Sequence, residues 1–284
     1  MAIQIIQADA RHLPLPDSSV DLIITSPPYF SMRHYQDRGL LLQQIGLEPT
    51  VSEYLQSLWA VTSECYRVLK PTGSLFFNLM DKYNSAASNQ NGLGTNLQGG
   101  SHESNRIGRG RTVPDVPTKS LIGIPWKYAL GLLEGKAGGN WILRSDMIWH
   151  KSNAMPDPTA DRARRTHEYI FHFTKQSRYF ANPAVTKLIS SVWEFPTQPS
   201  RLPKHLQHPA PFPLAMPTWL IRGFCPPQGV VLDPFGGSGT TALAAQQESR
   251  HGISVDLSET YCETARVRCG LSPHPFDMLP DNLP

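Results

Sequence analysis

Charge is scarce in this chain. Only 17% of its 284 residues are Asp, Glu, Lys or Arg, against roughly 25% in ordinary soluble proteins. The net charge is only +3, so any hold on nucleic acid has to come from local basic patches. There are four cysteines, Cys65, Cys225, Cys262 and Cys269, and no two of them form a Cys-x-x-Cys pair. Cys262 and Cys269 lie at two-turn helical spacing, which reads as core. No apolar run is long enough to span a bilayer and the start is not signal-like, so the expected setting is the reducing cytoplasm, with no membrane partner. His205 and His208 lack an accompanying acidic or cysteine ligand at convincing spacing, and no metal is expected.

Proline, by contrast, is abundant: 26 residues, roughly twice the usual share. Such a chain carries many rigid loops around a conventional core, and its length and 40% hydrophobic content suffice for one domain plus an insertion.

The hydrophobic pattern alternates between the two periods. Ile3 to Gln7 alternates as a strand and stops at the acidic loop Ala8-Asp9-Ala10. Val20 to Thr25 is a β-branched run, and Pro27 and Pro28 forbid further ladder pairing, so Ser26 to Tyr29 sits at a strand's carboxyl end. Tyr54, Leu58, Val61, Thr62, Cys65 and Leu69 recur at helical spacing up to Lys70-Pro71-Thr72-Gly73, and Ser74 to Leu79 reads as the next strand. A helix near Trp126 to Leu133, strands near Trp141 to Trp149 and Tyr169 to Thr174, and proline-rich connections from Asn182 to about Pro217 follow. Val230 to Asp233, a glycine turn, a helix from Thr240 to Glu248, a strand from Gly252 to Asp256 and a helix from Ser258 close the series. The fold class is α/β.

Residues 84–112 break the alternation. Ser, Asn, Gln and Gly dominate, and Arg106, Arg109 and Arg111 gather at the end, so a mobile loop is expected. It is either a plain solvated insertion or a loop that embraces DNA. Two further basic clusters, Arg162, Arg164, Arg165 with His167, and Arg201, Lys204 with His205, are either solvated loops or places where arginine reads guanine edges and holds phosphates.

Three glycines follow the strand that ends at Asp233. They let a backbone approach a ligand without a Cβ in the way, and the helix from Thr240 turns its N-terminal amides toward an anion. Gly237 to Ala242 also fits the G-x-G-x-x-A dinucleotide fingerprint, with Asp256 near the acidic position, which keeps a nicotinamide oxidoreductase open. No lysine follows Gly239, so a Walker phosphate loop fails on spacing.

Taken together, Thr25-Ser26-Pro27-Pro28-Tyr29 and Asp233-Pro234-Phe235-Gly236-Gly237-Ser238-Gly239-Thr240-Thr241 resemble the motifs of the DNA methyltransferases that modify exocyclic amino groups, in the circularly permuted beta-class order where the catalytic motif precedes the cofactor loop. Val68 to Gly73, Met147 to Asn153, His167 to Phe171 and His208 to Pro213 are also similar to that family. The resemblance implies a Rossmann-like sheet with helices on both faces, formed by residues 1–151 and 207–284, and a target-recognition region at 152–206. It implies S-adenosyl-L-methionine as cofactor, held by Asp9, Ala10, Asp233, Pro234, Phe235, Gly237, Gly239, Thr240, Thr241 and Asp256. Asp9 would take the adenine amino group and Asp256 the ribose hydroxyls, a position where the family more often has Glu.

An exocyclic amine is a poor nucleophile because its lone pair is delocalised into the ring, so a site has to favour the pyramidal nitrogen. Ser26 Oγ and the Pro27 carbonyl are suited to accept its two hydrogens, Pro28 stiffens the turn and Tyr29 offers a stacking face. The base has to be flipped out of the duplex first, and placing amine and methyl in line is then the main catalytic contribution. Ser at the first motif position resembles N4-cytosine enzymes, whereas N6-adenine enzymes more often carry Asp or Asn. The expectation is therefore N4-cytosine methylation of double-stranded DNA, with N6-adenine as the alternative. C5 methylation needs a thiolate, typically from a Pro-Cys pair, and this chain has no such dipeptide. A homodimer and a cognate restriction endonuclease are the partners the resemblance implies.

Overall fold

The computed structural model describes residues 2–31, 44–84, 113–157, 159–197 and 212–272. Eight strands form one sheet in the order β1-β8-β7-β2-β3-β5-β4-β6. The strands are β1 (Ile3–Gln7), β2 (Val20–Thr25), β3 (Leu69–Leu79), β4 (Ile142–His150), β5 (His167–Thr174), β6 (Val192–Glu194), β7 (Val230–Asp233) and β8 (His251–Asp256). The helices are α1 (Val51–Val68), α2 (Ile124–Leu133), the single turn α3 (Pro183–Thr186), α4 (Ala215–Phe224), α5 (Thr240–Gln247) and α6 (Glu259–Arg268). The first strand pairs with the last, β1 with β8, in parallel. β8-β7-β2-β3 continue in parallel, and β5 alone runs against its neighbours β3 and β4.

Strand composition explains why the sheet is covered on both sides. β2 is Val-Asp-Leu-Ile-Ile-Thr and wholly buried, with Val20 and Ile23 in one core and Leu22 and Ile24 in the other. A strand apolar on both faces has to be central and covered. α1 and α2 cover one face with Tyr54, Leu58, Val61, Tyr128 and Leu132. α4 and α5 cover the other with Leu220, Ile221, Phe224, Ala244 and Ala245. Each large apolar side chain buried this way contributes about 1.5–3 kcal/mol. α1 starts where Thr50 and Glu53 form a reciprocal capping box, which satisfies two of the otherwise orphaned amides.

Three elements differ from the sequence expectation. β3 begins at Leu69, not Ser74, because Val20 pairs with Leu69 and Leu22 with Ser74, and the residues between bulge out of register. Lys70 anchors that bulge to Asp21 at 2.8 Å. The proline-rich stretch ends earlier than expected, since α4 starts at Ala215 and places Pro217 in its first turn, where a missing N–H costs nothing. Finally, the region 152–206 contributes β5, α3 and β6, and both strands belong to the central sheet. Of the expected mobile loop 84–112, Asn84 is buried, with its side-chain amide donating to the Val113 and Val116 carbonyls; the rest of it, with Arg106, Arg109 and Arg111, and the cluster of Arg201 and Lys204 lie outside the described residues.

Candidate active site

Parallel pairing brings the distant motifs to one edge. β2 and β7 are neighbours, with Leu22 opposite Val231 and Ile23 opposite Leu232. The Ser26 turn and the glycine turn therefore leave adjacent strand ends, which is where ligands bind in open α/β sheets. The Asp9 loop after β1, Asp256 at the end of β8 and Asn78 near the end of β3 share this edge. β5 runs the other way, so its first residues, His167 and Glu168, meet the ends of β3 and β4.

The glycine turn is braced from three sides. Below it, Asp233 is 1% exposed and takes three protein donors: Thr25 Oγ1 at 2.7 Å, Thr241 Oγ1 at 2.7 Å and the Phe235 amide at 3.1 Å. Burial pushes this carboxyl up to about 6, although those hydrogen bonds pull the other way. The structure thus gives Asp233 and Thr241, both expected among the cofactor contacts, a bracing part beneath the loop. From α6, Arg268 Nη1 donates to the Ser238 carbonyl and hydroxyl, each at 2.6 Å, and to Thr240 Oγ1 at 3.0 Å. From β8, Asp256 Oδ2 accepts the Gly237 amide and Oδ1 the Ser258 amide, both at 2.9 Å. Gly237 and Gly239 have φ of +50° and +74°, a region where a side chain is strained. Pro234 and Phe235 complete the turn, and Phe235 packs partly buried on the core.

Asp9 carries a charge partner the sequence did not announce. Arg11 donates to its carboxylate through the backbone amide at 2.9 Å and the guanidinium at 2.6–3.0 Å. Burial works against the Asp9 charge, but Arg11 outweighs it and holds the carboxyl below its ordinary value. Ala10, beside it, is buried.

At the other turn, Tyr54 Oη donates to the Pro28 carbonyl at 2.8 Å, fixing the Pro-Pro segment against α1. Ser26 Oγ and Tyr29 Oη lie 3.2 Å apart. The Tyr29 hydroxyl donates to Glu168 Oε2. Asn78 Nδ2 reaches Glu168 Oε2 at 2.6 Å, Tyr29 Oη at 3.0 Å and Ser26 Oγ at 3.3 Å, and Lys151 Nζ pairs with Glu168 Oε1. Burial first, then the Glu168 charge, pushes the Tyr29 hydroxyl well above its ordinary value, so it stays protonated.

Asn78, Lys151 and Glu168 were absent from the residues expected in the site. The signal was a single carboxylate in an aromatic-rich strand, a glutamate that is 3% exposed in the fold and needs a partner there. Of the basic residues expected to meet DNA, Arg162 bonds to Asp157 at 2.8 Å and lies 3.8 Å from the centre of the Tyr83 ring, while Arg164 is exposed. The four cysteines are buried and free, and burial pushes the Cys225 and Cys262 thiols up to about 12. None is a ready thiolate.

A Ser-Pro-Pro-Tyr turn at one strand end, beside a glycine turn on the next, lies on the ligand-binding edge of a Rossmann-like α/β sheet. The chain belongs to the N6/N4 DNA methylase family, whose profile matches residues 20–267. It is 35% identical to the type II methyltransferase M.XycI of Xanthomonas campestris pv. cyanopsidis over 89% of this chain and 82% of that protein. It is 33% identical to M.SmaI of Serratia marcescens over 93% and 90%. Among solved structures, the PvuII DNA methyltransferase (cytosine-N4-specific) superposes with a TM-score of 0.68 at 20% identity, covering 100% of this chain and 89% of that one. The M1.HpyAVI-SAM complex gives 0.56 at 21%, covering 94% and 98%. These last two likenesses establish the fold alone. Family membership removes the nicotinamide reading of Gly237 to Ala242.

Proposed function

We propose that this protein transfers a methyl group from S-adenosyl-L-methionine to the exocyclic N4 amine of a cytosine flipped out of duplex DNA. The observation that carries the reading is the side-by-side emergence of the Ser26 turn and the glycine turn from paired strands β2 and β7. The pairing of β1 with β8 supports the permuted, beta-class order, in which one continuous sheet starts and ends at new points.

Gly237, Gly239 and Thr240 bring main-chain atoms to the cofactor, Pro234 and Phe235 flank it, and Asp256 supplies the carboxylate chemistry that ribose hydroxyls take. Asp9 and Ala10 stand at the adenine end, where the Arg11 clamp keeps Asp9 ionised and fixed. The positive φ of the two glycines lets the turn curl tightly enough for its main-chain amides to face a ligand. When bound, the cofactor supplies a methyl carried on a sulfonium. The protein's own part is to position the amine: Ser26 Oγ and the Pro27 carbonyl accept its hydrogens, Pro28 holds the turn and Tyr29 lines the pocket for the base.

DNA recognition belongs to residues 152–206, with Arg162, Arg164 and Arg165 in its described loop and Arg201 and Lys204 beyond it; Arg106, Arg109 and Arg111 add phosphate contacts. A homodimer, a cognate restriction endonuclease and a cytoplasmic setting complete the reading, the last supported by four free thiols.

The test is to incubate the purified protein with plasmid DNA and labelled cofactor, map the methylated site by sequencing and digest the DNA to nucleosides. N4-methylcytosine is expected. N6-methyladenine would replace the cytosine assignment with adenine, and no transferred methyl would overturn the reading.

A further inference from the structure

The hydrogen bonds around Glu168 have only one self-consistent direction. An ionised carboxylate accepts and never donates, so the single Tyr29 hydroxyl proton is committed to Glu168 Oε2. Tyr29 then has nothing left to give Ser26, 3.2 Å away, and in that pair the serine has to donate. Ser26 Oγ, which also accepts from Asn78 Nδ2 at 3.3 Å, is left presenting its remaining lone pair to the site. Lys151 pairs with the other oxygen of Glu168, and Asn78 Nδ2 supports both Glu168 and Tyr29. Asn78 Oδ1 is buried without a hydrogen-bond partner among the described residues, a second acceptor left for a donor in this corner.

We propose that Glu168, clamped by Lys151, is a positioning residue and terminal proton acceptor. It orients the chain Ser26 to Tyr29 to Glu168 so that the site selects a base amine over a carbonyl and removes the proton that methylation releases. This inference rests on the reading that Ser26 faces the target amine.

The step balances. As the nitrogen–methyl bond forms, the carbon–sulfur bond breaks and its electron pair stays on sulfur as a neutral thioether. The nitrogen now holds one hydrogen too many and gives it to Ser26 Oγ. Ser26 passes its own proton to Tyr29, and Tyr29 passes its own to Glu168, which ends as a neutral carboxylic acid. A methylated exocyclic nitrogen still bearing both hydrogens is a strong acid, so a carboxylate paired with a lysine is base enough. The titratable groups facing Glu168 are Lys151 after β4, Tyr29 after β2 and its β5 neighbour His167. Burial first, then Arg165 and His150, lowers the His167 value, with Glu168 opposing the shift.

The test uses duplexes carrying the site mapped on plasmid DNA, in two experiments. In the first, without cofactor, equilibrium binding is compared for the natural target base and for the same base with its amine replaced by a carbonyl (uracil for cytosine, hypoxanthine for adenine). The wild-type protein is expected to prefer the amine by about tenfold or more, and Glu168→Gln to lose that preference; pairing differences cancel in the ratio. In the second, single-turnover transfer is followed against pH. Glu168→Gln is expected to be slower by about 100-fold and to lack any acid limb found in the wild-type profile. Tyr29→Phe, which keeps the ring and the Glu168 pair with Lys151, should match both changes, and the double variant should be no slower than either single one. If Glu168→Gln does not fold, Tyr29→Phe decides by the same readouts. Retained amine preference with an unchanged acid limb, or losses that multiply in the double variant, would overturn the inference while leaving the transferase reading intact. No methyl on plasmid treated with wild-type protein overturns both.

Discussion

Thr25 Oγ1 donates to Asp233 Oδ1 across 2.7 Å, joining the residue before the Ser26 turn to the residue that opens the glycine loop, 208 positions along the chain. A neutral hydrogen bond contributes about 0.5–1.5 kcal/mol and one to a charged group about 1.5–3. The bond therefore does more than connect two loops: it sets the spacing of the two halves of the site.

Asp233 should leave a signature in the pH dependence of stability. Burial raises its folded value to about 6 from an ordinary 3.8. The folded chain then holds the proton more tightly than the unfolded one, so this group favours folding fully below about pH 4 and withdraws that support as pH climbs through about 6. Denaturant midpoints measured from pH 4 to 7 should show a falling component in the wild type that is absent from Asp233→Asn. Parallel curves for the two proteins would contradict the assignment.

In the proposed function Ser26 acts on the amine and not on the cofactor. Ser26→Ala should slow methyl transfer by about 100-fold, as removal of one well-placed polar group from a reacting centre does. Calorimetric affinity for S-adenosyl-L-methionine should stay within about twofold of wild type. An equal loss of cofactor binding would place Ser26 on the wrong side of the site.

Much of this was legible in the chain, for physical reasons that differ by element. β2 with its two prolines, and β7 with its glycines, announce themselves because a buried parallel strand is a β-branched run and because proline and glycine punctuate it. The meeting of Asn78, Lys151 and Glu168 was not legible. It depends on β3 pairing antiparallel with β5 in one register, Leu79 opposite Tyr169 and Asn78 opposite Ile170, and periodicity names strands without naming their partners. The Arg11 clamp on Asp9 was missed for a different reason: a charge two residues from an acidic loop reads as solvent-exposed until the loop's turn brings it back.

Asp256 should behave in the opposite way to Ser26. Its two oxygens hold the Gly237 and Ser258 amides, so it shapes the glycine turn in addition to the ribose contact proposed for it. Losing hydrogen bonds to a charged group costs about 1.5–3 kcal/mol, and Asp256→Ala should therefore weaken cofactor binding by about 10- to 100-fold. At saturating cofactor the transfer rate should recover most of its wild-type value. An unchanged dissociation constant would remove Asp256 from the cofactor site.

Arg164 is exposed in the loop before β5, which suits a phosphate contact. Arg164→Ala should weaken binding to all duplexes about equally and lower the slope of log affinity against log salt by about 0.9. A loss confined to one target sequence would instead mean that Arg164 reads a base edge.

Gly239 separates backbone strain from a packing conflict. Its φ is +74°, so a side chain there costs about 1–2 kcal/mol for the left-handed conformation alone. An added Cβ would also lie 2.8 Å from Ala265 Cβ and 3.1 Å from Ala265 Cα. α6 would have to move, and overpacking of this kind costs a further about 1–3 kcal/mol. Gly135 offers the control, since its φ is +79° and nothing lies within 4 Å of the added atom. Gly239→Ala should lower the melting temperature by about 2–12 °C more than Gly135→Ala, from a packing difference of about 1–3 kcal/mol at about 2–4 °C per kcal/mol. It should also weaken cofactor binding, because α6 carries the Arg268 that holds Ser238 and Thr240. Equal melting temperatures for the two variants would mean that α6 yields without cost, and that the fit of the glycine turn against α6 does not determine its shape.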